Sequence, residues 1–268
     1  MFERISDPGL VTTMLCASLI LSACGGGGSS SGSSESPDVA AAALEPGLYE
    51  AKIDRVGIDG TQTATTYLSP TGKFAVVFGE NSGLSLGTFD FANGRISGIS
   101  VDYRQPDPKS FFEGKDDEEG TIAGTVRSQA SAKFSTSDAE SKVNTNVTLQ
   151  QTKEFNALSD LDISLERASG TYQASPDAFL QLSSDGSLYA EHYTQETGCR
   201  FEGTESVSVP DASINVFNIT YTMSNCNNDN RNGEYSGVGL FGPTTDRRMQ
   251  MIFAAHNGKV AMKFEGIK

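Results

Sequence analysis

Hydrophobic and polar residues alternate along much of the chain after residue 46. Phe217, Ile219, Tyr221 and Met223 are interleaved with Asn218, Thr220, Thr222 and Ser224. Val143, Thr145, Val147 and Leu149 follow the same rule, as do Leu161, Ile163 and Leu165, and Met249, Met251 and Phe253. Successive side chains of a strand point to opposite faces, so this period predicts strands with one buried face. No stretch beyond residue 46 shows a 3.6-residue period of helix length. The expected class is all-β.

The punctuation agrees. Asp59-Gly60, Asn93-Gly94, Asp185-Gly186, Asn232-Gly233 and Asn257-Gly258 tolerate positive φ and suit two-residue hairpin turns. Short, regular spacing of such turns predicts a meander. Expected strands in the C-terminal region are 170–174, 178–183, 187–193, 200–209, 214–224, 232–241, 246–256 and 259–266. Those in the N-terminal region are 47–54, 64–69, 73–79, 84–91, 95–103, 120–134, 143–151 and 161–167. Eight strands with short links in each region predict two antiparallel up-and-down β-barrel-like units, a form that leaves no sheet edge open. The expected domains are 46–168 and 169–268. Residues 104–119 interrupt the first with two prolines and an acidic run, a long exposed loop.

A weak internal repeat links the two units. Gly47-Leu48-Tyr49-Glu50-Ala51 echoes Gly170-Thr171-Tyr172-Gln173-Ala174. Leu68-Ser69-Pro70-Thr71-Gly72-Lys73-Phe74 echoes Leu182-Ser183-Ser184-Asp185-Gly186-Ser187-Leu188. Gly47 and Gly72 are 25 positions apart, Gly170 and Gly186 only 16. The extra nine residues are expected in the loop around Val56 to Thr61.

The N-terminus breaks the β pattern. Residues 10–23, LVTTMLCASLILSA, carry no charge. As a helix they would rise about 21 Å, short of the roughly 30 Å hydrocarbon core, so they read as a signal-peptide apolar region. The run ends in Leu21-Ser22-Ala23-Cys24. This resembles the lipobox of bacterial lipoproteins. The resemblance implies a signal peptide over 1–23, cleavage before Cys24, and lipid on the Cys24 sulfur and amine. Gly25, rather than Asp, after the cysteine implies sorting to the outer membrane. The leader departs from the usual pattern in its charge, since Glu3, Arg4 and Asp7 sum to −1. Residues 24–45 then form the lipidated cysteine and a tether, whose Gly/Ser-rich stretch over 25–37 is flexible coil. Several acyl chains suffice to hold a protein on a membrane.

Lipobox, Gly/Ser tether and Gly-rich β-units together look like surface lipoproteins of the transferrin-binding-protein B type. The phrase Phe89-Asp90-Phe91-Ala92-Asn93-Gly94-Arg95-Ile96-Ser97-Gly98 is similar to a strand-turn-strand that recurs in their barrels. It covers ten residues. In that family the barrels support binding of host proteins through variable loops, so no contact residue carries over.

Charge and composition then exclude classes. The chain has 268 residues, with 34 acids against 20 bases, a formal charge of −14. Without Glu3, Asp7 and Arg4 the mature chain has 32 acids and 19 bases, or −13. A nucleic-acid binder needs the opposite footprint. Two His and four Cys leave little for a metal centre, and no cofactor is expected. Cys16 lies in the leader and Cys24 in the lipobox. Cys199 and Cys226 flank strands expected to be adjacent and antiparallel, which puts them at one end. In an exported chain they are read as a disulfide rather than a reactive thiol pair, closing a loop worth roughly 3.5 kcal/mol in the chain-entropy model.

No nucleophile elbow, zinc-protease motif or P-loop is present. His192 is read as a plain strand residue and His256 as a strand-end residue in solvent. Asp116-Asp117-Glu118-Glu119 reads as a solvated loop, and NCNNDNRN over 225–232 as a polar turn with oxygen ligands to spare. Asn146 and Asn218 sit in glycosylation sequons but in expected strands. Phe111 and Phe112 lie in the polar loop; they are either an exposed partner-binding anchor or a plug folded back on the first unit. The leading expectation is a non-enzymatic, lipid-anchored binding or envelope-interaction module of the outer membrane, partnered by the membrane and a protein. The alternative is a lipocalin-like carrier of a small apolar ligand. A hydrolase with a site assembled from distant loops is the third.

Overall fold

The computed structural model describes residues 43–79, 82–104, 111–115, 119–154, 159–191, 193, 197–243 and 248–268. Cys24 and His192 lie outside them. The first barrel contains β1 (Gly47–Arg55), β2 (Thr61–Leu68), β3 (Lys73–Phe78), β4 (Gly83–Ala92) and β5 (Arg95–Arg104). An insertion follows, with two short strands, β6 (Phe111–Phe112) and β7 (Gly114–Lys115). The barrel resumes with β8 (Gly120–Ser128), β9 (Ser131–Ser137) and β10 (Val143–Gln150). Neighbours in the ring are antiparallel, β5 passes to β8 across the insertion, and β10 closes on β1. The ring has eight strands.

A linker holding α1 (Leu165–Ala168) leads to the second barrel. Its strands are β11 (Gly170–Ser175), β12 (Ala178–Leu182), β13 (Leu188–Ala190), β14 (Arg200–Gly203), β15 (Val207–Ser208), β16 (Phe217–Ser224), β17 (Gly233–Pro243), β18 (Met249–His256) and β19 (Ala261–Ile267). β15 folds against β16 beside β14, and β19 closes on β11. Again eight strands make the ring. The chain is all-β, with two closed antiparallel barrels.

Two sequence expectations are corrected without changing the count. The run 120–134 is two strands, turning at Gln129-Ala130, where no Gly or Asn announces a turn. The alternating run 161–167 is linker. Ile163 packs into the second barrel's core, while Leu161 is exposed. Among the five expected two-residue turns, Asn93-Gly94 alone has that form, with φ of 51° and 69°. The others sit in loops of four residues or more.

The internal repeat is structural. Tyr49 and Tyr172 are both buried, and each hydroxyl donates to the carbonyl four residues earlier, Glu45 and Ala168. The turns at 69–72 and 183–186 share their bonds: Gly72 and Gly186 donate to the Ser69 and Ser183 carbonyls. Each of these glycines then accepts from the strand beyond, from Phe89 N and Val207 N. The nine extra residues are not confined to the loop. β1 has 9 residues against 6 in β11, and β2 has 8 against 5 in β12. The connecting loop, 56–60 against 176–177, takes the remaining three.

The barrels pack through an apolar seam. Leu48, Tyr67, Leu84 and Leu86 on the outside of the first meet Val216, Val238, Leu240 and Ala254 of the second. Polar bonds rim this seam. Ser69 Oγ donates to Asn218 Oδ1 at 2.6 Å, Lys73 Nζ to Ser236 Oγ at 2.8 Å, and Tyr103 Oη bonds His256 Nδ1 at 2.6 Å. His256 is therefore an interface residue, not a solvent-facing strand end.

Candidate functional site

The two interiors differ. The second barrel is filled by rings. Phe201 stacks on Tyr221 with centroids 3.8 Å apart, Tyr221 stacks on Tyr235 at 5.0 Å, and Phe253 stacks on Phe264 at 5.3 Å. Inward glycines make room for them: a Cβ on Gly266 would lie 2.5 Å from the Phe264 ring. The Tyr221 hydroxyl finds only the Met262 sulfur, and burial pushes its pKa well up.

The first barrel is filled at one end only. Tyr49, Phe74, Phe89, Phe134 and Leu149 pack there, with Leu44 closing the bottom. Glu45 N donates to the Gln129 carbonyl, and the Tyr49 hydroxyl bonds to both the Glu45 and Gln129 carbonyls. At the other end a cavity of about 310 Å³ opens. Its deep wall is Phe74, Val76, Ile122, Phe134, Ile53 and Val147; Ser85, Ser100, Asp102, Arg104, Arg55 and Thr145 bring polar groups towards the mouth. Val56 and Ile58, 56% and 61% exposed, form an apolar lip in the long β1–β2 loop. Longer strands and small inward residues produce this cup. Ser85 and Ser100 put small side chains on its inward wall, while Gly98, opposite Phe89, lies at the packed end.

The expected site residues fall elsewhere. Phe111 and Phe112 are 2% and 1% exposed, so they are not a surface anchor. Nor do they plug the first barrel. β6 pairs with β19, Phe112 opposite Ala261 and Phe111 opposite Met262. Phe111 enters the second barrel's core and Phe112 the seam. Arg231 lies over the Phe111 ring, 4.3 Å from its centroid, and its Nε donates to Glu113 at 2.7 Å. A polar loop concealed this because the rings' partners lie some 150 residues downstream. Cys199 and Cys226 form the expected disulfide, at the end where β14 meets β16.

The 225–232 loop is an internally bonded turn. Asn228 accepts from Asn230 N, and Asn232 Oδ1 accepts from Cys226 N. Among the described residues no cluster of His, Cys, Asp or Glu suits a metal ion. Asn218 is engaged with Ser69 and Thr71 at the seam. Asp116, Asp117 and Glu118 lie outside the described residues.

A second hollow, about 710 Å³, lies at the foot of the second barrel. Asp160, Asp162, Arg167, Arg248, Lys268 and Phe241 are among its lining residues. Leu161, Ile163, Pro243 and Met249 give it an apolar side as well, and it lies between the linker and the barrel end rather than within the ring of strands.

No family model matches the chain, and no curated protein matches it. Among solved structures it is similar to Aeromonas veronii immune modulator A. The two are 10% identical over 85% of this chain and 96% of that one, with a TM-score of 0.36. At that level the likeness carries no argument about function.

Proposed function

We propose that this protein is a non-enzymatic binding module of a bacterial envelope, anchored by lipid at Cys24, whose first barrel takes up a small amphipathic molecule. The cavity carries this reading: one barrel of a matched pair is hollow, with an apolar wall, a polar mouth and an exposed apolar lip. Sites for small molecules share this composition, mostly apolar with a few placed polar groups. An eight-stranded barrel has room for one such ligand. The described chain enters the first barrel at its closed end, where Leu44 packs, opposite the cavity's mouth.

Native mass spectrometry of gently purified protein tests the uptake. A bound small molecule is expected, and it should be absent from Val147→Trp, whose indole fills the cup. An empty barrel in both proteins would overturn the reading. The anchor has its own test. Cys24→Ala should leave the membrane fraction, and a variant that stays there would remove Cys24 from the account.

A further inference from the structure

The first barrel is elaborated over the second just where its cup opens. Between β1 and β2 it carries residues 56–60, Val-Gly-Ile-Asp-Gly, where the second barrel has Pro176-Asp177 alone. The base of this loop is pinned. Asp54 pairs with Thr61 and accepts from its hydroxyl at 2.5 Å, Val56 N donates to the Asn144 carbonyl at 2.9 Å, and Ile58 N donates to the Arg55 carbonyl at 3.3 Å. Gly57 and Gly60 have φ of 80° and 97°, and a Cβ on either would meet nothing within 4 Å, so the tip stands clear of its surroundings.

Val56 and Ile58 are the most exposed large hydrophobic side chains among the described residues. Val143, 40% exposed, begins β10 at the same end, next to the Asn144 that bonds Val56. An aliphatic side chain free to move folds onto the nearest apolar surface. Here that surface is close, since Val56 and Ile58 line the opening of the cup. The pinned loop holds them outward instead. Aliphatic side chains gathered in water at one place mark a contact surface. The exposed area of the three is roughly 300 Å², well short of the ~800 Å² that each partner gives to a stable protein interface. A bilayer asks for less, because surface segments hold to it by sinking an apolar face about 5–10 Å into the headgroup boundary. The patch is also continuous with the mouth, so a sparingly soluble ligand passes from lipid to cup without crossing bulk water.

We infer, resting on the uptake proposed above, that the lip docks on the surface of a neutral phospholipid bilayer, where the cup exchanges its ligand. Val56, Ile58 and Val143 dip among the headgroups and turn the mouth towards the acyl chains. Neutral lipid is specified because Asp59 follows Ile58 in the loop and the whole chain carries −14, so anionic headgroups repel it. Three side chains need not hold the protein on the membrane, since lipid at Cys24 does that; they need only orient it. The 20 residues from Gly25 to Leu44 extend to at most about 70 Å. That is more than twice the length of β1, about 30 Å, so the mouth can reach the bilayer that holds Cys24.

Tryptophan fluorescence tests the docking, because the chain has no Trp of its own. Ile58→Trp puts an indole on the lip. Phe179→Trp puts one on the outside of the second barrel, at a residue 37% exposed, and controls for the indole's own preference for interfaces. Each full chain, as purified, is placed in phosphatidylcholine vesicles, plain or brominated along the acyl chains. Whatever holds the chain to the vesicle holds both reporters alike. The lip reporter is expected to emit at shorter wavelength than the reference and to lose most of its emission to brominated lipid, while the reference loses little. Adding Val56→Asp and Val143→Asp should return the lip reporter to the reference values, with circular dichroism checking the fold; Val56→Asp alone serves if the pair unfolds. Equal quenching of the two reporters, quenching that persists in a folded aspartate variant, or quenching only when phosphatidylglycerol replaces half the neutral lipid would overturn the docking. So would a lip reporter that is shifted but insensitive to bromine, the mark of a lip covered by protein. Uptake is judged apart. A filled barrel in native mass spectrometry with an unquenched lip keeps the uptake and overturns the docking alone. A quenched lip with an empty barrel keeps the membrane contact and overturns the exchange of ligand there.

Discussion

The two barrels share strand number, connectivity, an opening tyrosine and the turn after their second strand, yet one is solid and the other is a cup. Topology therefore does not set the interior. Strand length and the size of inward side chains do. β1 and β2 outrun β11 and β12 by three residues each, raising a wall above the packed end. On the cavity wall of that barrel stand Ser85 and Ser100. The core of the second barrel holds Phe201, Tyr221, Tyr235 and Phe253.

The sharpest way to break this contrast is to remove one side chain from each interior. Phe201→Ala should cost about 3–5 kcal/mol, because the hole is enclosed on all sides. Val147→Ala should cost only about 1–2 kcal/mol, since its outer side already faces open space. Denaturant unfolding of both variants checks the difference, and equal losses would mean the first barrel is as tightly packed as the second. Next in size is the disulfide, present in the solid barrel. Cys199→Ala with Cys226→Ala should lower stability by about 3.5 kcal/mol in the chain-entropy model. Probes in the second barrel should report it first in hydrogen exchange.

Alkali should weaken both barrels. Burial raises the phenol pKa of Tyr172, Tyr221 and Tyr235 in the solid barrel and of Tyr49, Tyr67 and Tyr103 on strands of the other. Below about pH 10 these groups are neutral folded or unfolded, and stability is intact. Above it the unfolded chain releases protons that the folded chain retains, so stability falls as pH rises towards the folded values. Tyrosinate absorbance should therefore rise together with loss of β-structure, with both barrels contributing. The smallest effect concerns what the barrels share. Tyr49→Phe and Tyr172→Phe should each cost about 1 kcal/mol for the lost hydroxyl bond, measured by thermal unfolding.

Much of this architecture was legible in the amino-acid order, because period-two alternation at Phe217–Ser224 or Val143–Gln150 reports a buried face directly. The Gly-x-Tyr repeat was legible too, and it proved to mark equivalent strands. The turn at Gln129-Ala130 was not, since those residues carry no special φ preference. The alternation of Leu161, Ile163 and Leu165 misled for a complementary reason: a linker lying along a barrel also buries some residues and exposes others. The cup was open as an alternative but could not be assigned to a barrel. A cavity is a deficit of volume summed over eight strands, and no short motif records it. The fate of Phe111 and Phe112 depends on a pairing with Ala261 and Met262 far along the chain, which local pattern does not encode.

That pairing has a consequence for modularity. The ring of Phe111, which belongs to the second barrel's core, is encoded within the first barrel's stretch of the gene. Cutting the chain in the linker between residues 150 and 170 would separate the barrels on paper, yet leave the second without a ring and without the strand that covers the start of β19. The halves cannot be recombined freely with other partners, as independent repeats can. During synthesis the order is favourable: the segment that completes the second barrel emerges from the ribosome before any strand of that barrel does, and waits for β19, the last strand of that barrel.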